Sequence, residues 1–118
     1  MQTYRIIFYQ TILRLFLEKL GYSPTITNNG LEALEAAKRQ AYNVIFMDIQ
    51  MPKMDGIMAT KQIRQNCNQQ PWIVAVTANA LPEDRQSCFD AGVNEFITKP
   101  IQVEDIVNIF AKYNGAKV

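Results

Sequence analysis

Two uninterrupted apolar runs dominate the pattern of polarity along the chain. The first, residues 44–47, ends at Asp48, and the second, residues 72–76, ends at Thr77. A shorter run, Phe96-Ile97-Thr98, ends at Lys99. Uninterrupted apolar runs of this kind are typical of parallel strands that are buried on both faces of a sheet. The pattern therefore predicts three buried strands that lead into Asp48, Thr77 and Lys99.

Stretches with helical spacing of apolar residues separate these runs. Asn28, Asn29 and Gly30 predict a turn and the N-cap of a helix at residues 31–39, and Gly92 predicts the end of a later helix. Further helices are predicted at residues 57–64 and 83–91. A helix is also predicted before Gly21, and its apolar face comprises Ile12, Leu15, Phe16 and Leu20. The last helix is predicted near the C-terminus from the helical spacing of Val103, Ile106, Val107 and Phe110.

The order of these elements predicts an α/β fold. A short strand is also expected at residues 23–27, and Pro24 within it indicates the edge of a sheet. Strands that alternate with helices need right-handed crossovers, which give a parallel sheet with helices on both faces. In such folds, functional groups collect beyond the carboxyl ends of the strands. We therefore expect Asp48, Thr77 and Lys99 to converge at one edge of the sheet.

A carboxylate, a hydroxyl and an ammonium group at one edge suit phosphoryl chemistry. Asp48 can act as a nucleophile or bind a metal, Thr77 can donate to an oxyanion, and Lys99 can neutralise transferred negative charge. The chain contains no histidine, which excludes Ser-His-Asp and Cys-His hydrolases and HExxH metalloproteases. Glycoside hydrolysis needs paired carboxylates, whereas a single predicted strand end carries an acid.

Composition limits the remaining classes of function. The 118 residues, of which 48% are hydrophobic, fit one domain that spans residues 1–118. The formal net charge of +1 argues against nucleic-acid binding, which needs clustered basic charge. Two cysteines, Cys67 and Cys88, suit a reducing cytoplasm, and no stretch approaches the length of a membrane span. We expect a cytoplasmic protein without a membrane segment or a nucleic-acid partner.

Three segments resemble, in their order and spacing, the receiver domain of two-component response regulators, and most of all the receivers of hybrid histidine kinases. They are residues 48–56 (DIQMPKMDG), residues 77–80 (TANA) and the stretch from Ala91-Gly92 to Lys99-Pro100. Residues 18–22 (EKLGY) and 29–34 (NGLEAL) match the surroundings of that family's first helix and second strand. The likeness runs from about residue 10 to about residue 110.

The resemblance implies a doubly wound, flavodoxin-like fold with a five-stranded parallel sheet in the order 2-1-3-4-5. It implies that Asp48 accepts a phosphoryl group from a phosphohistidine, that Lys99 contacts the phosphoryl oxygens, and that Thr77 hydrogen-bonds the new group. Phe96 matches the aromatic residue whose rotamer follows Thr77 in a conformational switch. Mg²⁺ is the implied cofactor, with Asp48 and the backbone carbonyl of Gln50 as its ligands.

The function implied by the resemblance is that of a phosphoacceptor in a His-to-Asp phosphorelay. The partners would be a histidine kinase core or a histidine phosphotransfer domain. They would dock over the strand-end loops and the first helix, whose exposed side is set by Arg14 and Glu18. Such a receiver promotes its own phosphotransfer but is not a stand-alone enzyme. The resemblance also implies a cis peptide bond between Lys99 and Pro100, since X-Pro bonds lower the energetic cost of the cis form.

The sequence departs from the family's pattern near its N-terminal end. Receivers carry an adjacent acidic pair at the end of the first strand, whereas the first acidic residue here is Glu18. An ungapped alignment places Tyr4 and Arg5 at the pair and leaves a truncated first strand before them. In the alternative alignment, residues 4–8 form that strand and the acidic loop is deleted. Under the ungapped alignment, Arg5 could form a salt bridge with Asp48 in place of the metal.

Two other functions stay open from the sequence. One is a pseudo-receiver, which binds partners without being phosphorylated; the missing acidic pair favours it, and the retained Asp48, Thr77 and Lys99 oppose it. The other is a small hydrolase of the haloacid dehalogenase type, which also has an Asp nucleophile after a parallel strand. That class expects a second Asp where this chain has Gln50, so it ranks last.

Overall fold

Strands and helices alternate along the chain. A computed structural model describes residues 6–8, 15, 17–21, 25–27, 29–49, 56–68, 70–78 and 81–116. Its elements are β1 Ile6–Phe8, β2 Thr25–Ile26, α1 Gly30–Arg39, β3 Val44–Asp48, α2 Gly56–Asn66, β4 Trp72–Thr77, α3 Pro82–Ala91, β5 Glu95–Thr98 and α4 Val103–Ala116. Residues 15 and 17–19 are helical as well.

All pairings between the strands are parallel, and the sheet has five strands in the order β2-β1-β3-β4-β5. This order confirms the doubly wound α/β fold that the resemblance implied. Within the described residues, the strand predicted at residues 23–27 is found at Thr25–Ile26, and it lies at the edge of the sheet as expected. Pro24, which suggested the edge position, lies outside the described residues.

The position of β1 decides between the two alignments of the N-terminal segment. β1 consists of Ile6–Phe8 and lies between β2 and β3. The ungapped alignment, in which the first strand ends before Tyr4, is therefore wrong. The alternative, with the strand formed within residues 4–8, is supported. The hypothetical salt bridge between Arg5 and Asp48 depended on the ungapped alignment, and Arg5 lies outside the described residues.

Two apolar clusters cover opposite faces of the sheet, because side chains alternate along each strand. The terminal-helix cluster comprises Ile6, Leu17, Val44, Phe46, Val74, Val76, Ile97, Ile106, Ile109, Phe110 and Tyr113. The central-helix cluster comprises Ala33, Leu34, Ala36, Tyr42, Ile45, Met47, Ala59, Ile63, Ile73, Ala75, Cys88 and Val93. The two layers bury β3 and β4 on both sides, as their uninterrupted apolar runs predicted. Among the described residues, no helix combines the length and the apolar character needed to cross a lipid bilayer.

The buried face of α4 differs in part from the predicted face. Ile106 and Phe110 are buried as expected, whereas Val103 and Val107 are 38% and 48% exposed. A run of apolar residues at helical spacing contains overlapping faces, and the position of the sheet decides which one is covered. The remaining buried positions of this helix are Ile109 and Tyr113.

The predicted face of the first helical segment is wrong where the structure describes it. Leu15 and Leu20 are exposed, and Leu17 is the buried residue. The other two residues of that predicted face, Ile12 and Phe16, lie outside the described part of the chain. A buried Leu17 joins the terminal-helix cluster, which places this segment on the same face of the sheet as α4.

Helix ends follow the capping signals in the sequence. The side chain of Asn29 caps α1 by accepting a hydrogen bond of 2.9 Å from the backbone N–H of Glu32. Gly92 ends α3 with a φ of 115°, a left-handed conformation that favours glycine. A Cβ at Gly92 would also lie 2.9 Å from Cγ of Arg64. The turn after α3 is therefore packed directly against α2.

Arg64 on α2 joins chain segments at the amino ends of β4 and β5. Its Nε donates to the carbonyl of Gly92 at 2.9 Å, its Nη1 to the carbonyl of Pro71 at 2.7 Å, and its Nη2 to Oδ1 of Asn94 at 2.7 Å. The same Oδ1 accepts a 2.9 Å hydrogen bond from the backbone N–H of Ile73. Burial lowers the pKa of the Arg64 guanidinium from its ordinary value. The side chain thus anchors the C-terminal end of α3.

We expect Arg64→Met to lower the free energy of unfolding by about 1–3 kcal/mol, because it removes the guanidinium hydrogen bonds to Gly92, Pro71 and Asn94. Urea unfolding measures this loss. The control is Lys61→Met, an exposed position on the same helix, which should change stability by no more than about 0.5 kcal/mol. Equal losses in the two variants would show that the Arg64 hydrogen bonds are not stabilising.

Candidate functional site

Asp48 is the last residue of β3 and lies at the carboxyl edge of the sheet. It is 6% exposed. The neighbouring residue continues the ladder, since the backbone N–H of Ile49 donates to the carbonyl of Val76 at 3.1 Å. A carboxylate at this position is held by a strand that is buried on both faces.

Lys99 meets Asp48 across the top of β4. Its Nζ lies 3.2 Å from Oδ2 of Asp48, and the two side chains are 31% and 8% exposed. The backbone N–H of Lys99 donates to the carbonyl of Thr77 at 2.9 Å. The peptide bond between Lys99 and Pro100 is cis, as the resemblance implied. The structure therefore brings together the acid and the base that the sequence places far apart.

Thr77 completes the set of strand-end residues. It is the last residue of β4 and is 3% exposed. The register sets Asp48 opposite Val76 and Thr77 opposite Thr98, so these strand ends are staggered along one edge. The predicted convergence of the three residues at adjacent strand ends is found.

Gly56 at the start of α2 supports the backbone of the site. Its N–H donates to the carbonyl of Ile49 at 3.1 Å, and its own carbonyl accepts a 2.7 Å hydrogen bond from the hydroxyl of Thr60. A Cβ at this position would overlap the carbonyl oxygen of Asp48 and lie 2.8 Å from Cα of Ile49. The helix can approach the phosphoacceptor candidate this closely only because residue 56 has no side chain.

Phe96 lies on β5, half-buried against the central-helix cluster. The guanidinium carbon of Arg85, on α3, is 5.2 Å from the centroid of its ring. Sequence reasoning identified Phe96 but missed Arg85. An arginine in a polar helix is typical of a solvent-exposed position, so the pattern gave no sign of this contact. Sequence reasoning also missed the packing role of Gly56; a glycine between the strand-end Asp and a helix was the available signal.

Metal ligation receives little support from the described residues. Gln50, whose carbonyl was the second expected magnesium ligand, lies outside them. Within the described ranges no group of three or more His, Cys, Asp or Glu side chains could hold a metal ion. The sequence itself contains no Asp or Glu before Glu18. Asp48 therefore has no acidic neighbour on the strand that would carry the family's acidic pair.

Comparisons with known proteins identify relatives of this chain. The sequence profile described as "Response regulator receiver domain" matches residues 8–111. "Hybrid signal transduction histidine kinase K" of Dictyostelium discoideum is 41% identical over 105 residues, which is 82% of this chain and 9% of that protein. "Hybrid signal transduction histidine kinase B" of the same organism is 41% identical over 108 residues, 81% of this chain and 6% of that protein. The chain thus spans a small part of these relatives.

Solved structures show the same fold. The receiver domain of sensor histidine kinase PA1611 from Pseudomonas aeruginosa, with a magnesium ion coordinated in its active site cleft, superimposes with a TM-score of 0.87 at 33% identity, covering 97% of this chain and 99% of that one. The receiver domain of the Saccharomyces cerevisiae response regulator Ssk1, co-crystallised with the histidine phosphotransfer protein Ypd1, superimposes with a TM-score of 0.86 at 29% identity, covering 94% and 88% of the two chains.

We expect Gly56→Ala to lower the free energy of unfolding by about 1–3 kcal/mol, since the new methyl group collides with rigid backbone. Gly115→Ala is the matched control. That glycine also lies in a helix, but a Cβ there would meet nothing within 4 Å, so the change should be neutral or stabilise by up to about 1 kcal/mol. Urea unfolding of both variants tests the difference. A Gly56 variant as stable as the Gly115 variant would contradict the close packing of α2 on Asp48.

Proposed function

Because this chain belongs to the response regulator receiver domain family, we propose that it accepts a phosphoryl group on Asp48 from a phosphohistidine in a two-component phosphorelay. The observation that carries the proposal is the pair formed by Asp48 and Lys99, 3.2 Å apart at the carboxyl edge of a parallel sheet. The carboxylate is an oxygen nucleophile, and the ammonium is a fixed positive charge beside it. Phosphoryl transfer needs this kind of positioning and charge balance more than covalent assistance.

In the proposed transfer, one carboxylate oxygen of Asp48 attacks the phosphorus of an N-phosphorylated imidazole. The new O–P bond forms as the N–P bond breaks, and the bonding electron pair returns to the imidazole nitrogen of the donor. Lys99 neutralises part of the negative charge on the phosphoryl oxygens. The hydroxyl of Thr77, on the adjacent strand end, donates a hydrogen bond to the group once it is attached.

The signal would leave the site through Thr77 and Phe96. Thr77 is buried and follows Val76, the residue that pairs with Asp48. In the proposed switch, Thr77 and the segment after it move inward to form a hydrogen bond with the phosphoryl group. Phe96 on β5 pairs with Ala75 on β4. Ala75 lies two residues before Thr77, so the two side chains point to the same face of the sheet. These positions support a switch in which the ring of Phe96 responds to Thr77.

A magnesium ion fits the described donor set poorly. Mg²⁺ takes an octahedral shell of oxygen ligands, commonly one or two carboxylates with phosphate oxygens and water. Asp48 is the acidic residue at the described strand ends, and it already contacts Lys99. We therefore assign no step of the transfer to the ion. Magnesium binding by Asp48, with the carbonyl of Gln50 as its other protein ligand, is expected to be weak.

A histidine phosphotransfer domain or a histidine kinase core is the proposed partner. The partner would cover the strand ends, since the phosphorus must reach Asp48. The first helical segment packs on the sheet through Leu17 and exposes Leu15 and Glu18. Arg14, which was expected to share the exposed side with Glu18, lies outside the described residues. The larger protein would be a hybrid histidine kinase. A cytoplasmic location belongs to the same proposal and is supported by the free thiols of Cys67 and Cys88.

The alternative function is that of a pseudo-receiver, a protein-interaction module that is not phosphorylated. The absence of acidic residues before Glu18 favours this alternative. A pseudo-receiver would keep the fold and the docking edge but would not form an acyl phosphate. The two functions therefore differ in one measurable property, which is covalent phosphate uptake.

We expect incubation with a small phosphodonor such as acetyl phosphate to add the mass of one phosphoryl group to the intact chain. Asp48→Asn should abolish the addition, because an amide is not a nucleophile under these conditions. Lys99→Gln should slow it by about 100-fold through loss of the fixed charge. Intact-mass spectrometry over time measures all three proteins.

The control is Asp90→Asn, which neutralises an exposed carboxylate on α3 and should leave phosphate uptake unchanged. Circular dichroism establishes that each variant is folded. A folded wild-type chain that takes up no phosphate from either acetyl phosphate or a phosphorylated histidine phosphotransfer domain would reject the phosphoacceptor function and favour the pseudo-receiver.

We expect phosphate uptake to proceed at about the same rate with magnesium as with a chelator. Calorimetric titration of Mg²⁺ should give little heat, and Asp48→Asn should remove what heat there is, since Asp48 supplies the carboxylate ligand. The receiver domain of the Pseudomonas kinase is the positive control, because its structure contains the ion. Binding as tight as in that control would show that other groups complete a metal site.

A further inference from the structure

Arg85 lies against the aromatic ring that the proposed switch uses. The distance of 5.2 Å from its guanidinium carbon to the centroid of Phe96 is within the range of a cation–π contact. Arg85 is exposed and Phe96 is half-buried. The contact therefore joins a helix on the surface to a side chain that reaches into the central-helix cluster.

Thr77 and Phe96 face the same side of the sheet as Arg85. Ile73 and Ala75 of β4 pack in the central-helix cluster, so alternation along the strand turns Thr77 to that side too. Phe96 packs against the same cluster from β5. Helix α3, which carries Arg85, covers this side of the sheet through Cys88. The three side chains are therefore neighbours on one face.

The chain also connects Arg85 to Thr77 through a short segment. β4 ends at Thr77 and α3 begins at Pro82. The backbone N–H of Arg85 donates to the carbonyl of Leu81 at 3.0 Å, so Arg85 belongs to the first turn of the helix. A displacement of Thr77 would reach this turn, because few residues separate the end of β4 from the start of α3.

The two ends of α3 are held very differently. Its buried residues, Cys88 and Ala91, lie in the C-terminal half, where Arg64 also binds the carbonyl of Gly92. At the other end, the N-cap residue Leu81 makes no side-chain capping hydrogen bond and is 57% exposed. The helix is thus anchored at its C-terminal end, and its first turn has little packing to resist movement.

We propose that Arg85 is a positioning residue that latches the ring of Phe96 to the first turn of α3 in the unphosphorylated chain. Inward movement of Thr77 pulls this turn and breaks the contact, which releases the ring. The phosphorylation-dependent part of this proposal rests on the proposed function, whereas the latch itself does not. A contact present in one state alone shifts the balance between the two states by about two- to five-fold, the range for an exposed cation–π pair.

The latch is tested first without phosphorylation, by a double-mutant cycle of Arg85→Gln and Phe96→Leu in urea unfolding. We expect the two changes to be non-additive by a factor of about two to five in the unfolding equilibrium constant. Arg85→Lys should keep part of the coupling, since it retains a cation over the ring. Lys61→Gln, which removes one exposed charge from α2, should be additive with Phe96→Leu. Additive behaviour of Arg85 and Phe96 would overturn the latch.

Hydrogen exchange supplies a positional readout that a purely structural role would not give. In Arg85→Gln, the hydrogen-bonded amides of residues 84–87 should exchange about two to five times faster. The amides of residues 88–92 should keep their wild-type rates because Arg64 still anchors them. Acceleration along the whole helix would mean that Arg85 merely stabilises α3, and it would reject the latch.

Phosphate uptake then tests the link to the switch. Arg85→Gln should increase the rate of uptake from acetyl phosphate by about two- to five-fold, and it should have no further effect in a Phe96→Leu background. If the wild-type chain is phosphorylated and Arg85 and Phe96 are coupled in the double-mutant cycle, an unchanged rate of uptake in Arg85→Gln would reject the link between the latch and phosphorylation. A wild-type chain that is never phosphorylated would reject the proposed function instead. The latch would then be tested by the double-mutant cycle and the hydrogen-exchange rates alone.

Discussion

The register between β3, β4 and β5 is the constraint on which the candidate site depends. Asp48 lies opposite Val76 and Thr77 opposite Thr98, and the backbone N–H of Lys99 extends the ladder by donating to the carbonyl of Thr77 at 2.9 Å. A slip by a single residue would turn every side chain of β4 to the wrong face of the sheet. Because both faces are covered by apolar clusters, such a slip is costly. Core packing therefore holds the spacing between the acid, the hydroxyl and the base.

The sequence predicted those parts of the fold whose structure depends mainly on the residues of one short segment. The apolar run at residues 44–47 is typical of a strand buried on both faces, and Asn29 and Gly92 mark helix ends through local backbone geometry. The buried faces of the helices were predicted less well. Val107 and Leu17 show why: an apolar pattern at helical spacing allows overlapping faces, and the choice between them depends on where the sheet lies, which is information from other parts of the chain.

The least predictable residues are the charged ones that act through distant partners. Arg64 binds Gly92 and Asn94, which are 28 and 30 positions further along the chain. Arg85 contacts a ring on the next strand. Both lie in helices whose composition is typical of solvated surface, and hydrophobic periodicity contains no signal for their contacts. The site itself was more predictable, because parallel topology alone requires Asp48, Thr77 and Lys99 to meet at one edge.

The charges of Asp48 and Lys99 at the carboxyl edge of the sheet determine the electrostatic environment of a phosphoryl group on Asp48. The formal charges of Asp48 and Lys99 cancel, and Nζ of Lys99 lies 3.2 Å from Oδ2 of Asp48. An acyl phosphate on Asp48 adds negative charge that Lys99 balances only in part. A site with further carboxylates would recruit a divalent cation for this purpose, but the chain has no acidic residue before Glu18. Under the proposed function, a hydrogen-bond donor such as the hydroxyl of Thr77 would balance part of the remaining charge. Movement of Thr77 would then stabilise the phosphorylated state as well as signal it.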